Sequence, residues 1–299
     1  MYDVAVVGGG PAGLTAAIYS VRANRKVLVL EAAACGGQII NTTEIENYPA
    51  TPKITGLEFG QTLQKQAEDL GVEIEFETVE KIIDKGDYKL VKTEDDQYRA
   101  KVVILACGTE PRTLSLDNES KFTGRGVSYC ATCDGSFYKS RTVAVNGGGN
   151  TALQEALYLA DMAGKVYLIH RRDEFRGNQA LVQKLKKKDN VEFVLSANVV
   201  ALNGDRKLES ITISQNGETK ELKVDALFVA IGRIPKAKGL VDGLKLDEYG
   251  FVDAGENCAT NIPGIFVAGD VRKKEIRQLV TATSDGAIAA TEALNFDRK

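Results

Sequence analysis

Two segments of this 299-residue chain repeat the same order of elements, and this repeat constrains the fold more than any other feature. Residues 3–31 and 141–172 each read as a strand, a glycine-rich turn, a helix and a second strand. Continuous apolar strands joined through a helix are typical of βαβ units in a parallel sheet buried on both faces. The two turns begin at Gly8 and Gly147, 139 residues apart, whereas solenoid repeats have periods of about 20–50 residues. The repeat therefore predicts two nucleotide-binding domains.

The end of the chain indicates how these domains are connected. Residues 264–270 read as a buried strand ending in an acidic residue, and residues 281–295 read as an Ala-rich helix. We expect both to return to the first domain. The predicted fold is therefore α/β, with two Rossmann-like three-layer nucleotide-binding domains, the second inserted in the first. The predicted boundaries are residues 1–112 and 243–299 for the discontinuous first domain, and 113–242 for the second.

Composition narrows the possible partners. The net charge of −3 gives no electrostatic reason to expect nucleic acid or an acidic membrane. The uncharged stretch after Asp3 is interrupted by glycines and a proline and has no preceding positive residue, so we expect neither a signal peptide nor a membrane span. Five cysteines, an odd number, are not a secreted disulfide framework. A cytoplasmic location is the expectation that follows.

The first glycine turn predicts a dinucleotide site. In Gly8-x-Gly10-x-x-Gly13, one glycine makes the turn, one lets the backbone approach a pyrophosphate, and one permits close helix–strand packing. The helix that follows presents free N–H groups to the phosphates. Glu31 ends the next strand, where a carboxylate can accept a hydrogen bond from a ribose 2′-hydroxyl. This site suits FAD or NAD.

The second turn predicts a different nucleotide. Its sequence, Gly-Gly-Gly-Asn-Thr-Ala at 147–152, is followed by a strand that ends in basic residues, Arg171 and Arg172, with Arg176 one turn further. The planar guanidinium groups of arginines bind phosphate oxygens, so this site suits the 2′-phosphate of NADP(H). A solvated basic turn is the alternative interpretation.

A third motif is the pair Cys130-Ala-Thr-Cys133, followed by Asp134. Cysteines at this spacing in a reducing compartment are redox-active or bind metal. A structural zinc site would need two further ligands from distant parts of a chain with one histidine, His170. Asp134 is placed to exchange a proton as a thiolate forms.

Together these motifs resemble those of the low-molecular-weight NADPH-dependent thioredoxin reductases, class II pyridine nucleotide-disulfide oxidoreductases. The similarity extends over nearly the whole chain in the same order. The matching motifs are the glycine turn at 8–13, Gly36-Gly-Gln38, Glu46-Asn-Tyr-Pro49, Cys-Ala-Thr-Cys-Asp at 130–134, the glycine turn at 147–152, His-Arg-Arg-Asp-Glu-Phe-Arg at 170–176, Ala230-Ile-Gly-Arg233, Val267-Ala-Gly-Asp-Val271 and Arg277-Gln278.

The resemblance implies a thioredoxin-disulfide reductase that passes electrons from NADPH to FAD, then to the Cys130–Cys133 disulfide and then to thioredoxin. It implies that Cys133 lies against the flavin, that Cys130 attacks the disulfide of thioredoxin, and that Asp134 is the general acid. The residues expected to bind FAD in the first domain are Gly8, Gly10, Pro11, Ala12, Gly13, Glu31, Gly37, Gln38, Asn47, Gly269, Asp270, Arg277 and Gln278. The residues expected to bind NADPH are Gly147, Gly149, Asn150, Thr151, Arg171, Arg172 and Arg176.

The resemblance also implies a homodimer and a rotation of the NADPH-binding domain, which carries the cysteine pair, between two half-reactions. We expect hinges near residues 110–116 and 240–250. Two alternatives remain: a flavin thioredoxin reductase that takes electrons from ferredoxin, and a non-catalytic nucleotide-binding redox sensor. A metal is not expected.

Overall fold

The computed structural model describes residues 1–42, 44–51 and 53–297. The strands are β1 (Tyr2–Val7), β2 (Val27–Leu30), β3 (Glu73–Glu75), β4 (Val79–Asp84), β5 (Lys89–Thr93), β6 (Gln97–Leu105), β7 (Thr109–Pro111), β8 (Val127–Ser128), β9 (Thr142–Asn146), β10 (Lys165–Ile169), β11 (Val191–Val194), β12 (Ala197–Asn203), β13 (Ser210–Gln215), β14 (Glu218–Lys223), β15 (Ala226–Val229), β16 (Arg233–Pro235) and β17 (Ile265–Val267). The helices are α1 (Pro11–Arg22), α2 (Gly56–Asp69), α3 (Glu119–Phe122), α4 (Ala131–Asp134), α5 (Asn150–Ala160), α6 (Gln179–Leu185) and α7 (Leu279–Asp297), with 3₁₀ turns at Gly37–Asn41, Gly135–Tyr138 and Gly269–Val271.

The chain divides into two compact units, one formed by Met1–Glu110 and Ile234–Lys299, the other by Pro111–Arg233. The second unit is therefore an insertion in the first. Residues 298–299, which the sequence places in the first domain, lie outside the described residues.

The chain returns from the second unit to the first at Arg233–Ile234, and this second crossing lies nine residues before the predicted boundary at 242–243. The segment between these points packs within the first unit. The Leu240 carbonyl accepts a hydrogen bond from the Ile82 N–H at 2.7 Å, and Ala237 and Val241 are buried in the same apolar cluster as Val7. The segment 240–250, near which we expect a hinge, therefore lies within the first unit, and the chain passes between the units at Arg233–Ile234.

The first unit is built on a seven-stranded sheet in the order β3-β2-β1-β6-β5-β4, with β17 paired to β6. Alternating side chains of β1 enter opposite clusters: Val4 and Val6 face α1 and α7, and Ala5 and Val7 face the other side. Strands β4 and β5 extend this sheet by antiparallel pairing onto β6. They belong to the seven-stranded sheet and do not form a separate one.

The second unit has a five-stranded parallel sheet in the order β11-β10-β9-β15-β8 and a separate antiparallel sheet β12-β13-β14. Val143 and Val145 of β9 pack with α5, whereas Ala144 between them packs with residues of the antiparallel sheet. Helices, parallel sheet and antiparallel sheet thus form three layers, as the sequence predicts.

Candidate active site

The first glycine turn connects β1 to α1, and its glycines differ in whether the surrounding protein leaves room for a side chain. A Cβ on Gly8 would lie 2.4 Å from the Ala106 carbonyl oxygen, and one on Gly13 would lie 1.9 Å from the Gly8 oxygen. Protein packing therefore requires glycine at both positions. Gly10 is different, because a Cβ there would meet only the Gly37 Cα, at 3.9 Å, and its φ of −75° is open to any residue.

The packing of this chain does not explain why position 10 is glycine, whereas a bound group does. The open space beside Gly10 lies at the N-terminus of α1, where Pro11 occupies the first helical position and free N–H groups are available. A pyrophosphate placed there would accept hydrogen bonds from these N–H groups. The residues present thus fit a dinucleotide.

Side chains from distant parts of the first unit meet around this turn. The Glu31 carboxylate accepts hydrogen bonds from the N–H groups of Gly9, at 2.6 Å, and Ala33, at 3.0 Å. An ionised carboxylate has about four lone-pair sites, so it can also accept a ribose hydroxyl. A Cβ on Gly269 would lie 2.8 Å from the Ala12 Cβ, which places the turn at 269–270 against the first glycine turn.

The remaining side chains expected at the flavin form two linked pairs and one anchored residue. The Asn47 Nδ2 lies 3.4 Å from the Gln278 Oε1, and the Arg277 Nε donates to the Asp270 carbonyl at 3.3 Å. Gln38 donates to the Thr109 carbonyl at 2.6 Å. The structure thus gathers these sequence-predicted residues in one unit.

Sequence reasoning missed Asp285, a buried residue of α7. Its carboxylate accepts hydrogen bonds from the Gly269 N–H at 3.0 Å, from two nitrogens of Arg272 and from the Lys274 ammonium at 2.8 Å. Burial acts to raise the pKa of Asp285, but the hydrogen bonds from Arg272 and Lys274 outweigh it and hold that pKa below its ordinary value. Asp285 therefore fixes the turn that carries Asp270.

The second glycine turn repeats the pattern of the first. A Cβ on Gly147 would lie 2.3 Å from the Ala230 oxygen, and one on Gly148 would lie 2.2 Å from the His170 ring. A Cβ on Gly149 would have no protein atom within 4 Å, and the φ of −94° at this position is open to any residue. Neither packing nor backbone conformation therefore requires glycine here. The space in front of Gly149, at the start of α5, again fits a pyrophosphate.

The predicted arginines gather beside this turn. The Arg176 N–H donates to the Gly148 carbonyl at 2.9 Å, and the side chains of Arg171, Arg172 and Arg176 are exposed. Burial first, then the positive charges of these three arginines, lower the pKa of His170. Asn150 uses its Oδ1 to accept the Asn178 N–H at 2.7 Å, whereas Thr151 is exposed. A positively charged surface therefore borders the second glycine turn.

Cys130 and Cys133 are joined by a disulfide at the start of α4. The other cysteines in the described part of the chain, Cys35, Cys107 and Cys258, are free thiols. Burial raises the pKa of Cys35 to about 11 and those of Cys107 and Cys258 to about 12, which keeps them as unreactive thiols. The disulfide is thus distinguished from them both by pairing and by position.

Asp134 lies beside the disulfide and is held by a residue that the sequence analysis missed. The Ser128 hydroxyl donates to the Asp134 Oδ2 at 2.6 Å and accepts the Cys130 N–H at 3.1 Å. Burial raises the pKa of Asp134, and the Ser128 hydrogen bond opposes that shift. No sequence pattern marks Ser128, because its role depends on the turn that brings β8 against α4.

The described residues offer neither a metal-binding cluster nor a membrane-spanning helix. No three or more His, Cys, Asp and Glu side chains within the described ranges are placed to hold a metal ion. Within the same ranges, no helix combines the length and the apolar character needed to cross a membrane.

A disulfide and two glycine turns whose open space fits a dinucleotide, in two α/β units, define the class of protein. The chain matches the family model for pyridine nucleotide-disulphide oxidoreductase over residues 2–286, and it belongs to that family.

Similar proteins narrow the class to one activity. The thioredoxin reductase of Listeria innocua is 39% identical over 299 residues, which cover 99% of this chain and 94% of that protein. The crystal structure of thioredoxin reductase from Streptococcus pyogenes is 40% identical, with a TM-score of 0.93 and coverage of 99% and 98% of the two chains. A ferredoxin-flavin thioredoxin reductase from Clostridium acetobutylicum is 34% identical, with a TM-score of 0.53 and coverage of 98% and 97%.

Proposed function

We propose that this chain is an NADPH-dependent thioredoxin-disulfide reductase containing FAD. The observation that carries the proposal is the Cys130–Cys133 disulfide with Asp134 beside it, in the unit that also holds the second glycine turn and three arginines. When bound, NADPH and FAD supply the two electrons that reduce this disulfide. The similarity to thioredoxin reductases supports thioredoxin as the protein that accepts them.

Each group of residues has a proposed task. The first glycine turn, Glu31, Gln38, Asn47 and the segments at 269–270 and 277–278 hold FAD. The second glycine turn with Asn150 and Thr151 holds the pyrophosphate of NADPH. Arg171, Arg172 and Arg176 bind its 2′-phosphate, because guanidinium groups form charge-assisted hydrogen bonds with phosphate oxygens.

The cysteines act on the protein substrate. After the disulfide is reduced, the Cys130 thiolate attacks one sulfur of the thioredoxin disulfide and forms a mixed disulfide. Cys133 then attacks the Cys130 sulfur, which releases reduced thioredoxin and restores the internal disulfide. Asp134 delivers the proton to the leaving thiolate, since burial raises its pKa and favours the protonated form.

The disulfide and the NADPH-binding turn lie in one unit and the FAD-binding residues in the other, so both must reach the flavin in alternation. We therefore propose rotation of the inserted unit about its two connections, Glu110–Pro111 and Arg233–Ile234. A crosslink between the units should abolish turnover, whereas a crosslink within the first unit should not. Full turnover by the crosslinked protein would contradict the rotation.

A homodimer and a cytoplasmic location complete the proposal. The free thiols of Cys35, Cys107 and Cys258 fit a reducing compartment. Light scattering of the purified protein tests the dimer, and fractionation of cells that produce the chain tests the location.

The experiment that tests the function is reduction of thioredoxin by NADPH, followed as loss of nicotinamide absorbance. The unmodified protein should turn over, and Cys130→Ser and Cys133→Ser should lose turnover while retaining FAD. Cys258→Ala, which removes a thiol outside the pair, is the control. Turnover that survives loss of either Cys130 or Cys133 would refute the proposal.

Ferredoxin as the electron donor is the second candidate, because a ferredoxin-flavin thioredoxin reductase is also similar to this chain. The open position at Gly149 and the adjoining arginines favour NADPH over it. Reduction of the flavin by reduced ferredoxin, with no response to NADPH, would favour the second candidate.

A further inference from the structure

Glu155 is a charged residue on the buried face of α5. The apolar residues Ala152, Ala156 and Leu159 of that helix are fully buried, and Glu155 lies on the same face at helical spacing. A carboxyl group in such a place is costly unless it is paired or neutral.

The Glu155 carboxyl points toward the redox-active turn. Its Oε1 lies 3.4 Å from the Ala131 nitrogen, which donates the N–H between Cys130 and Cys133. Its Oε2 is buried and has no hydrogen-bond partner among the described residues. Ionisation of a buried carboxyl is costly when one of its oxygens has no hydrogen-bond donor, so the protonated form is favoured.

Groups from two neighbouring elements, β16 and α4, set the electrostatic surroundings of Glu155. From β16, the positive charge of Arg233 acts on the carboxyl, and from α4 the Ala131 N–H does so. The other carboxyl of α4, Asp134, is bonded to Ser128 instead. Burial outweighs the effects of Ala131 and Arg233 and raises the pKa of Glu155 to about 7. The Glu155 carboxyl therefore gains or loses its proton near neutral pH.

Reduction changes the charge of the neighbouring pair. Two electrons break the S–S bond, and the two sulfurs then take up two protons, or one proton if one sulfur remains a thiolate. A thiolate at Cys130 or Cys133 is opposed by a negative carboxylate under the same turn. Protonation of Glu155 removes that opposition, so the carboxyl and the thiolate titrate as a coupled pair.

We propose that Glu155 is a positioning residue for the redox pair, which holds the Ala131 N–H and takes up a proton when the reduced pair forms a thiolate. The inference rests on the proposed function only in taking Cys130 and Cys133 as the working pair. It adds a second carboxyl, on α5, to the acid Asp134 on α4.

The test is the rate at which the dithiol-reduced holoenzyme is alkylated by iodoacetamide across a range of pH, with the modified cysteine identified by mass. Alkylation reports thiolate and needs neither NADPH nor thioredoxin, so a failed function assay and a failed result here are distinguishable. The variant is Glu155→Gln, which keeps an acceptor for the Ala131 N–H but cannot titrate. Glu155→Met, a neutral residue of similar size, is the second variant in case the glutamine destabilises the fold.

The charge-matched control is Asp161→Asn, which removes an exposed carboxylate at the end of the same helix. Above about pH 8, either Glu155 variant should react about three- to tenfold faster than the unmodified protein, because the repelling charge is gone. Below about pH 6 the rates should converge, since Glu155 is then protonated, and the control should follow the unmodified protein throughout. Profiles that coincide at all pH values would overturn the proposal.

Discussion

The Ser128 hydroxyl lies 2.6 Å from the Asp134 Oδ2 and 3.1 Å from the Cys130 nitrogen, so one buried side chain links the candidate acid to the first redox cysteine. A hydroxyl that donates to a carboxylate stabilises its ionised form. This bond therefore limits how far burial raises the pKa of Asp134. It also fixes the carboxyl next to the turn that contains the disulfide.

Replacing Ser128 by Ala should raise the pKa of Asp134 further. A hydrogen bond to a charged group is worth about 1.5 kcal/mol or more, which corresponds to about one pKa unit. If Asp134 acts in its protonated form, activity falls as pH rises through its pKa. The descending limb of the pH profile of thioredoxin reduction should therefore move to higher pH.

Ser136→Ala is the matched control, because Ser136 is exposed and lies three residues after Cys133. Its pH profile should match that of the unmodified protein. A descending limb that stays in place in Ser128→Ala would show that Asp134 does not control it.

The two glycines Gly147 and Gly149 should respond differently to alanine. Ala at 147 places its Cβ 2.3 Å from a backbone oxygen, so thermal melting without nucleotide should show a loss of about 1–3 kcal/mol. Ala at 149 meets no protein atom, so its melting temperature should be unchanged. Calorimetric titration with NADP⁺ should nevertheless show binding to Gly149→Ala weakened by about tenfold or more, because the methyl group occupies the space of the pyrophosphate.

Equal nucleotide affinity in Gly149→Ala and the unmodified protein would mean that the open space beside residue 149 does not receive a phosphate.

The arginines beside the second turn should determine the choice of nucleotide. Arg171→Ala and Arg172→Ala should each raise the KM for NADPH by about tenfold or more, since a charge-assisted hydrogen bond contributes about 1.5–3 kcal/mol. The KM for NADH, which lacks the 2′-phosphate, should change little. Steady-state kinetics with both nucleotides measure this.

Arg206→Ala, an exposed arginine elsewhere in the same unit, serves as the control for loss of positive charge. If the variants at 171 and 172 weakened NADPH and NADH equally, the assignment of the 2′-phosphate to these arginines would be wrong.

Asp285→Asn should destabilise the first unit strongly. The change leaves Arg272 and Lys274, whose side chains are 12% and 9% exposed, without their buried countercharge. Breaking a buried ion pair costs about 3–5 kcal/mol, measured as the free energy of unfolding in urea. Because the folded pKa of Asp285 is lowered, its contribution is present above the unfolded pKa of about 4 and is lost as pH falls through the folded value.

Asp253→Asn provides the comparison, since Asp253 pairs with exposed Lys245 and Lys273. This substitution should lower the free energy of unfolding by less than about 1 kcal/mol. Equal losses in the free energy of unfolding for the two substitutions would show that burial does not make the Asp285 ion pairs more stabilising than exposed ones.

Much of this architecture could be predicted because its signals are local. Glycines at fixed spacing between a strand and a helix mark both turns, and a strand ending in Glu31 or in Arg171 and Arg172 indicates which nucleotide suits each. The Cys130–Cys133 spacing marks the redox pair in the same way.

The features that escaped prediction depend on the folded arrangement. The second crossing was misplaced because the hydrogen bond between Ile82 and Leu240 joins segments 158 residues apart. Ser128 and Asp285 are ordinary residues in the sequence, and their roles follow from the turns that fold against them. Local patterns carry no information about such pairings.

Reductive titration of the holoenzyme under anaerobic conditions tests the central claim, that electrons pass from NADPH through the flavin to the Cys130–Cys133 disulfide. NADPH should bleach the visible absorbance of the flavin within the time of one turnover. Full reduction should consume one more two-electron equivalent in the unmodified protein than in Cys130→Ser, because that variant has no disulfide to reduce. Absence of bleaching by NADPH, or equal equivalents in the two proteins, would contradict the account.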